Sequence, residues 1–211
     1  IKLNKNIIFF DVETNGFQGS SVLSMSAIKV NYNSENSGEE RNKWKKVSEF
    51  NRFYFRNEGE EPNEGALRVN GLYDDEIERR RSLSNEKYSR TFKEDVNNFY
   101  IFCEGAEHFV AHNIKFDRQF IPFVLPYQFD TMIENIETVK IPSTNGYSKY
   151  KWPKLMECAE YYNIKLEEEE LHNSMYDVII MGRVLFKMTK TSKGLEKVRS
   201  FVVDNISTFM R

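Results

Sequence analysis

Ile7-Ile8-Phe9-Phe10-Asp11-Val12-Glu13 runs from four bulky apolar residues directly into two carboxylates one residue apart. The apolar run reads as a buried strand. Side chains alternate along a strand, so Asp11 and Glu13 point to one face, roughly 6–7 Å apart along the backbone. Two carboxylates held together at a strand end repel each other and lose hydration. A hard divalent cation such as Mg²⁺ or Mn²⁺ removes both costs. Alone, Asp-x-Glu is more often a strand running out into a polar loop, so the decision rests on the rest of the chain.

That remainder has the size and balance of one folded unit. With 211 residues, 40% of them hydrophobic and 14% aromatic, one sizeable core is expected. The division expected is a catalytic domain over 1–190 and an amphipathic tail over 191–211, packed on the domain or docking a partner. Thirty Lys and Arg against 32 Asp and Glu leave a net charge of −2, which excludes a globally basic coat. Polyanion binding would have to come from local patches or bound metal. Cys103 and Cys158 lack zinc-ligand spacing, and Cys103, on an apolar helix face, reads as a reduced core thiol of a cytoplasmic protein. No apolar stretch reaches membrane-spanning length and no signal-peptide pattern is seen. Ile1 in place of an initiator Met reads as a trimmed start.

The order of elements follows from periodicity and turn chemistry. Residues 22–32 and 47–55 read as strands forming an antiparallel meander with the first, separated by the polar turn 33–38. Residues 58–64 read as an acidic loop. Thr91 and Glu94 form a capping box ahead of a helix with Phe92, Val96, Phe99, Tyr100 and Cys103 on its inner face. Residues 109–111 read as a short strand, and Asp117 as the start of a short helix. Pro153 suits the first position of a helix with Leu155, Met156, Ala159 and Tyr162 inward. Residues 174–190 form a strong helix, and Leu195, Val198, Phe201, Val202 and Phe209 suggest a final amphipathic one. The sum is an α/β fold, a mixed sheet flanked by helices.

Three blocks then stand in order: Asp11-Val12-Glu13 on the first strand, His112-Asn113-Ile114-Lys115-Phe116-Asp117 after a central strand, and His172-Asn173-Ser174-Met175-Tyr176-Asp177 at a late helix. This pattern resembles the DEDD-type, DnaQ-like 3′–5′ exonucleases, in the subgroup with a catalytic histidine. Within that family the greatest likeness is to the proofreading epsilon subunit of bacterial DNA polymerase III. It extends from residue 6 to 188, with echoes at 65–72, at Phe129-Asp130-Thr131 and at 154–164. The sister subgroup has Tyr four residues before the last Asp. Here that position is Asn173, and Tyr176 is on the wrong spacing.

The resemblance implies an RNase H-like fold and a role for each matching residue. Asp11, Glu13 and Asp177 would hold the first of two divalent cations, Mg²⁺ or Mn²⁺. Asp11 would bridge to the second, which Asp117 supports, and His172 would be the general base. Two cations about 3.5–4 Å apart activate a water and stabilise the leaving oxygen of an in-line displacement. An imidazole with a pKa near ~6.5 accepts a proton near neutrality. Each residue also has a plain reading: Asp177 as a first-turn acid, Asp117 as a helix cap, His172 as a surface histidine. His112 reads as structural and His108 as solvated.

The expected substrate contacts are Thr14, Asn15 and Gly16 in the turn after the first block, with Asn70, Phe116 and Lys151. Gly16 suits a tight turn. Phe116 reads more readily as core. Lys151 belongs to the cationic, aromatic stretch 149–154, a candidate single-strand contact. Departures from the family pattern are Asn15 for Thr, Asn70 for His, and Ser24 and Ser26 for Glu and Gly. The acidic run 167–170 is expected to face away from a polyanion or to favour short substrates. The reading is a two-metal exonuclease acting on nucleic acid with a free 3′ end, DNA favoured over RNA, with a DNA polymerase as a candidate partner and no membrane. The rivals are an RNA-directed enzyme of the oligoribonuclease or ribonuclease T type and a non-catalytic nucleic-acid-binding module.

Overall fold

A computed structural model of the chain describes residues 2–167 and 173–208. A five-stranded sheet with order β3-β2-β1-β4-β5 forms its centre. β1 (Asn4–Thr14) pairs antiparallel with β2 (Val22–Asn33), which pairs antiparallel with β3 (Trp44–Phe53). On the other side, β4 (Ala106–Ala111) lies parallel to β1, and β5 (Tyr127–Asp130) parallel to β4. The meander and the mixed sheet are therefore those expected. β3 starts three residues earlier than the apolar pattern indicates, because Trp44 is buried opposite Tyr32 at its first position.

Parallel pairing brings the carboxyl ends of β1, β4 and β5 to one edge of the sheet. Ile7 to Phe10 are fully or almost fully buried, as a strand covered on both faces requires. α3 (Phe92–Cys103) starts on the Thr91–Glu94 capping box and lays Phe99 against Phe50 of β3, ring centroids 5.3 Å apart. Tyr100, expected inward, is half exposed. α7 (Ser174–Met188) packs on β1 and β2 and sets Phe186 against Trp44, centroids 5.6 Å apart. α8 (Ser192–Val202) sends Val198, Phe201 and Val202 into the same core. Phe209 lies outside the described residues. None of the described helices is long and apolar enough to cross a membrane.

Two short helices, α1 (Glu64–Asn70) and α2 (Asp74–Ser82), cover a second cluster around Leu67 and Ile77. Arg79 and Arg80 pair with Glu76 on α2, but Arg81 turns inward and donates to the carbonyls of Phe53, Tyr88 and Ser89. α4 (Ile114–Asp117) ends on Asp117 rather than beginning there. α5 (Thr131–Val139) follows β5 directly. α6 (Leu155–Tyr161) begins two residues after Pro153, whose carbonyl is engaged by His112 instead.

His108 corrects an expectation. β4 begins at Ala106, so His108 is inside the strand, 1% exposed, between the rings of Tyr127 and Phe201, with Nε2 3.1 Å from Asn205 Oδ1. Burial pushes its pKa down to about 4. Cys103 and Cys158 are buried free thiols.

Candidate active site

The register of β1 on β2 sets Asp11 opposite Ser26 and Glu13 opposite Ser24. Opposed residues share a face, so two acids and two small hydroxyls lie together beneath the start of α7. That start is fixed twice. Asn173 caps the helix by accepting from the Met175 N–H at 3.2 Å. Ser174 is buried and hydrogen-bonds the hydroxyls of both Ser24 and Ser26. One turn on, Asp177 meets the strand acids: Asp11, Glu13 and Asp177 each present a carboxylate oxygen within 4.8 Å of the others.

Asp117 reaches the same place from below. Its Oδ1 accepts the Val12 N–H at 3.1 Å, between the two strand acids. The device that delivers it is Asp130, the last residue of β5. Asp130 accepts from Asn113 N at 2.9 Å and Ile114 N at 3.1 Å while capping α5 through Met132 N at 2.9 Å. Asn113 is thereby held left-handed, φ 68°, which turns the chain from β4 into the helix ending on Asp117. Asn is among the residues that adopt this region. His112 braces the adjoining wall: Nε2–H donates to the Pro153 carbonyl at 2.9 Å, and Nδ1 is left to accept from Thr131 Oγ1 at 2.9 Å. Burial holds His112 near a pKa of about 4, so it is neutral and structural.

The electrostatics are those of acids taken out of water together. Burial, then the charges of Asp117, Glu13 and Asp177, raise Asp11 well above the usual carboxylate range. Burial with Asp177 and Asp117 pushes Glu13 up to about 8, and burial pushes Asp177 up to about 7. Asp117 is raised by burial to about 8 despite the Val12 amide that favours its anion. Asp11 Oδ2 and Asp177 Oδ1 are buried without a hydrogen-bond partner among the described residues. Buried carboxylate oxygens with no donor, converging from a strand and a helix, are the oxygen set a hard divalent cation takes. The residues present fit such an ion.

Beside Glu13 lies a pocket of about 410 Å³ whose lining includes Thr14, Gly16, Asn70 and Phe116. Asn70 Nδ2 donates to the Thr14 carbonyl at 3.0 Å, and Thr14 Oγ1 donates to the Gly16 carbonyl at 2.6 Å. Gly16 has no positive φ; its use is close approach, since a Cβ there would stand 3.1 Å from Asn63 Nδ2. Asn15 is buried away from the pocket, donating to Glu60 and the Glu61 carbonyl. Lys151 does not line the pocket; it pairs with Glu157 at 2.5 Å. His172 lies outside the described residues, as do three of the four residues of the acidic run. Sequence reasoning missed Phe17, Asn63 and Val69 on the pocket wall. Phe17 is 85% exposed, and an aromatic just past Asp-x-Glu-Thr-Asn-Gly was the available signal.

No protein-family model matches the chain, and no curated protein matches it in sequence. Solved structures do. Exonuclease X in complex with 5′ overhanging duplex DNA is 17% identical, TM-score 0.56, over 89% of this chain and 92% of that one. The zinc ion bound form of the E. coli ExoI–ssDNA complex is 12% identical, TM-score 0.63, over 92% of this chain and 42% of that one. Cell-death related nuclease 4 is 14% identical, TM-score 0.57, over 89% of this chain and 64% of that one. The chain has the RNase H-like fold of the DnaQ-like exonucleases. It spans less than half the length of the exonuclease I chain. At these identities the likeness is one of fold, and the chemistry has to be argued from the side chains.

Proposed function

We propose that the chain is a divalent-cation-dependent 3′–5′ exonuclease that shortens single-stranded or frayed DNA and releases nucleoside 5′-monophosphates. The observation that carries the reading is the convergence of carboxylate oxygens of Asp11, Glu13 and Asp177 within 4.8 Å, with Asp11 Oδ2 and Asp177 Oδ1 buried and without a partner among the described residues. The nucleic acids bound by exonucleases X and I support the substrate class, and the zinc-bound exonuclease I supports a divalent ion.

Asp11, Glu13 and Asp177 would hold one cation, with Asp117 supporting a second beside Asp11. Bound divalent cations supply charge neutralisation at the scissile phosphate and at the leaving oxygen. The protein's own part is positioning and proton transfer. The 410 Å³ pocket would seat the terminal nucleotide, with Phe116 and Phe17 as apolar walls and the Thr14–Gly16 turn fixed by Asn70 as its rim. His172 would accept the proton of the attacking water on an imidazole nitrogen.

The test is digestion of 3′-labelled and 5′-labelled DNA and RNA single strands with Mg²⁺ or Mn²⁺, beside EDTA and His172→Ala controls. A metal-dependent ladder from the 3′ end, reduced about 10²–10⁴-fold in His172→Ala, is expected. Faster RNA cleavage would transfer the reading to an RNA-directed enzyme. No cleavage of either polymer would overturn it in favour of a binding module. Proofreading for a polymerase is the narrower form, and it requires faster removal of mismatched than matched termini.

A further inference from the structure

Away from the carboxylates, α7 forms one wall of a groove of about 870 Å³, within the range of ligand sites. Its rim carries Arg41, Lys45, Lys165, Arg183, Lys187 and Lys190, and among the described lining residues Glu39 is the only acid. The chain as a whole is slightly acidic, at −2, so this concentration of cations is local. Arg41 and Lys190 share Glu39, at 3.2 Å and 4.0 Å. Lys45, Lys165, Arg183 and Lys187 have no acidic partner among the described residues. The floor is apolar, formed by Trp44, Ile164 and Phe186.

The groove is joined to the site by the helix that carries Asp177. Arg183, Phe186 and Lys187 follow on α7 at spacings of three and four, so they share one side of the helix, and Lys190, just past its end, lines the same groove. Ile179, four residues before Arg183, and Tyr176, three before that, carry the same side back to the turn of Asp177. Lys187 stands about 15 Å along the axis from Asp177 at ~1.5 Å per residue. A file of cations over an apolar floor, leading away from a carboxylate cluster, suits a chain of phosphates with bases attached.

We propose that this groove binds the 5′-ward portion of a single-stranded nucleic acid whose 3′ end lies at the carboxylates. The inference rests on the exonuclease reading and adds a second contact region to it. Long strands would engage both regions, and short ones the pocket alone.

The test compares wild type with Arg183→Gln/Lys187→Gln/Lys190→Gln, and with Lys45→Gln/Lys165→Gln from the opposite wall. None of these residues belongs to the carboxylate site. Turnover of oligothymidylates of about four and about sixteen residues is measured across a salt series. Binding of the longer strand and of thymidine 5′-monophosphate is measured by fluorescence in the Asp11→Asn background, which reads the groove without cleavage. For the triple variant, KM for the long strand should rise about tenfold with the short substrate unchanged. The slope of log affinity against log salt should fall by about 2, three contacts at ~0.7 each. The opposite-wall variant should move both quantities in the same direction. Cleavage by wild type with long and short substrates equally affected, or both unaffected, would overturn the groove and leave the exonuclease reading standing. Mononucleotide binding that falls as much as strand binding would also overturn it, by making the groove a nucleotide pocket. No binding and no cleavage of any strand by wild type would overturn both readings.

Discussion

Ser174 at the start of α7 shares a buried hydrogen bond of 2.6 Å with Ser26 of β2, directly opposite Asp11 on the neighbouring strand. Ser24 bonds the same hydroxyl. The two strand serines thus dock the helix that carries Asp177 onto β2, beside the strand that carries Asp11. Ser174→Ala would leave Ser24 without its partner and loosen the helix start. The expected cost is about 1–3 kcal/mol, seen as a melting temperature lower by several degrees. Because Asp177 follows three residues on, Mn²⁺ should stabilise the variant less than wild type. Thermal melts with and without Mn²⁺ measure both effects.

The carboxylates themselves should destabilise the metal-free protein. Asp11 is buried beside Asp117, Glu13 and Asp177, and all four are raised by burial or mutual repulsion. Asp11→Asn removes one charge with little change of shape. In EDTA the variant should melt higher than wild type. Added Mn²⁺ or Mg²⁺ should then raise the wild-type midpoint and leave the variant's unmoved. A cation at about a hundred times its Kd contributes about 2.7 kcal/mol to wild type. A variant stabilised by Mn²⁺ as strongly as wild type would refute the ligand assignment.

The same acids set a pH dependence. Glu13 and Asp117 protonate at about 8 and Asp177 at about 7 in the fold, against ~4 for unfolded carboxylates. Between those limits the folded chain holds more protons than the unfolded one, so stability falls as pH rises. His108 and His112, both pushed down to about 4, act oppositely below ~6.5, where the unfolded histidines charge. Above pH 7 the histidines are largely silent. Melts in EDTA should therefore drop from pH 7 to about 8.5. A saturating divalent cation, which holds the carboxylates ionised, should flatten that slope, and cation affinity should rise over the same interval.

How far these features were legible depends on whether the signal is local. Ile7 to Glu13 declare a buried strand with two acids on one face, and Thr91 with Glu94 declares a helix start, because periodicity and capping need only near neighbours. His108 was misread because its burial depends on Phe201 of α8 and on Asn205 just beyond that helix, nearly a hundred residues later. Ser24 and Ser26 showed as departures from a pattern, but their purpose required Ser174. Lys151 had the composition of a strand contact, and its pairing with Glu157 is a geometric fact no spacing reveals. The acids were readable as types in order; their convergence on one point came from register and from Asp130.

Asp130 is the last of these dependencies and the easiest to isolate. It accepts amide protons from Asn113, Ile114, Met132 and Ile133, and so ties the start of α5 to the turn that delivers Asp117. Asp130→Ala removes a helix cap, about 0.5–2 kcal/mol, and orphans buried amides at about 1–3 kcal/mol more. Asp130→Asn keeps one acceptor oxygen and should fall between. Asn113 separates backbone geometry from hydrogen bonding, because its φ of 68° suits glycine and strains a β-branched residue. Asn113→Gly should stay within about 1 kcal/mol of wild type, whereas Asn113→Val should lose stability and Mn²⁺-dependent stabilisation together. If Asn113→Val melted like wild type and bound Mn²⁺ equally well, the turn would not be what positions Asp117.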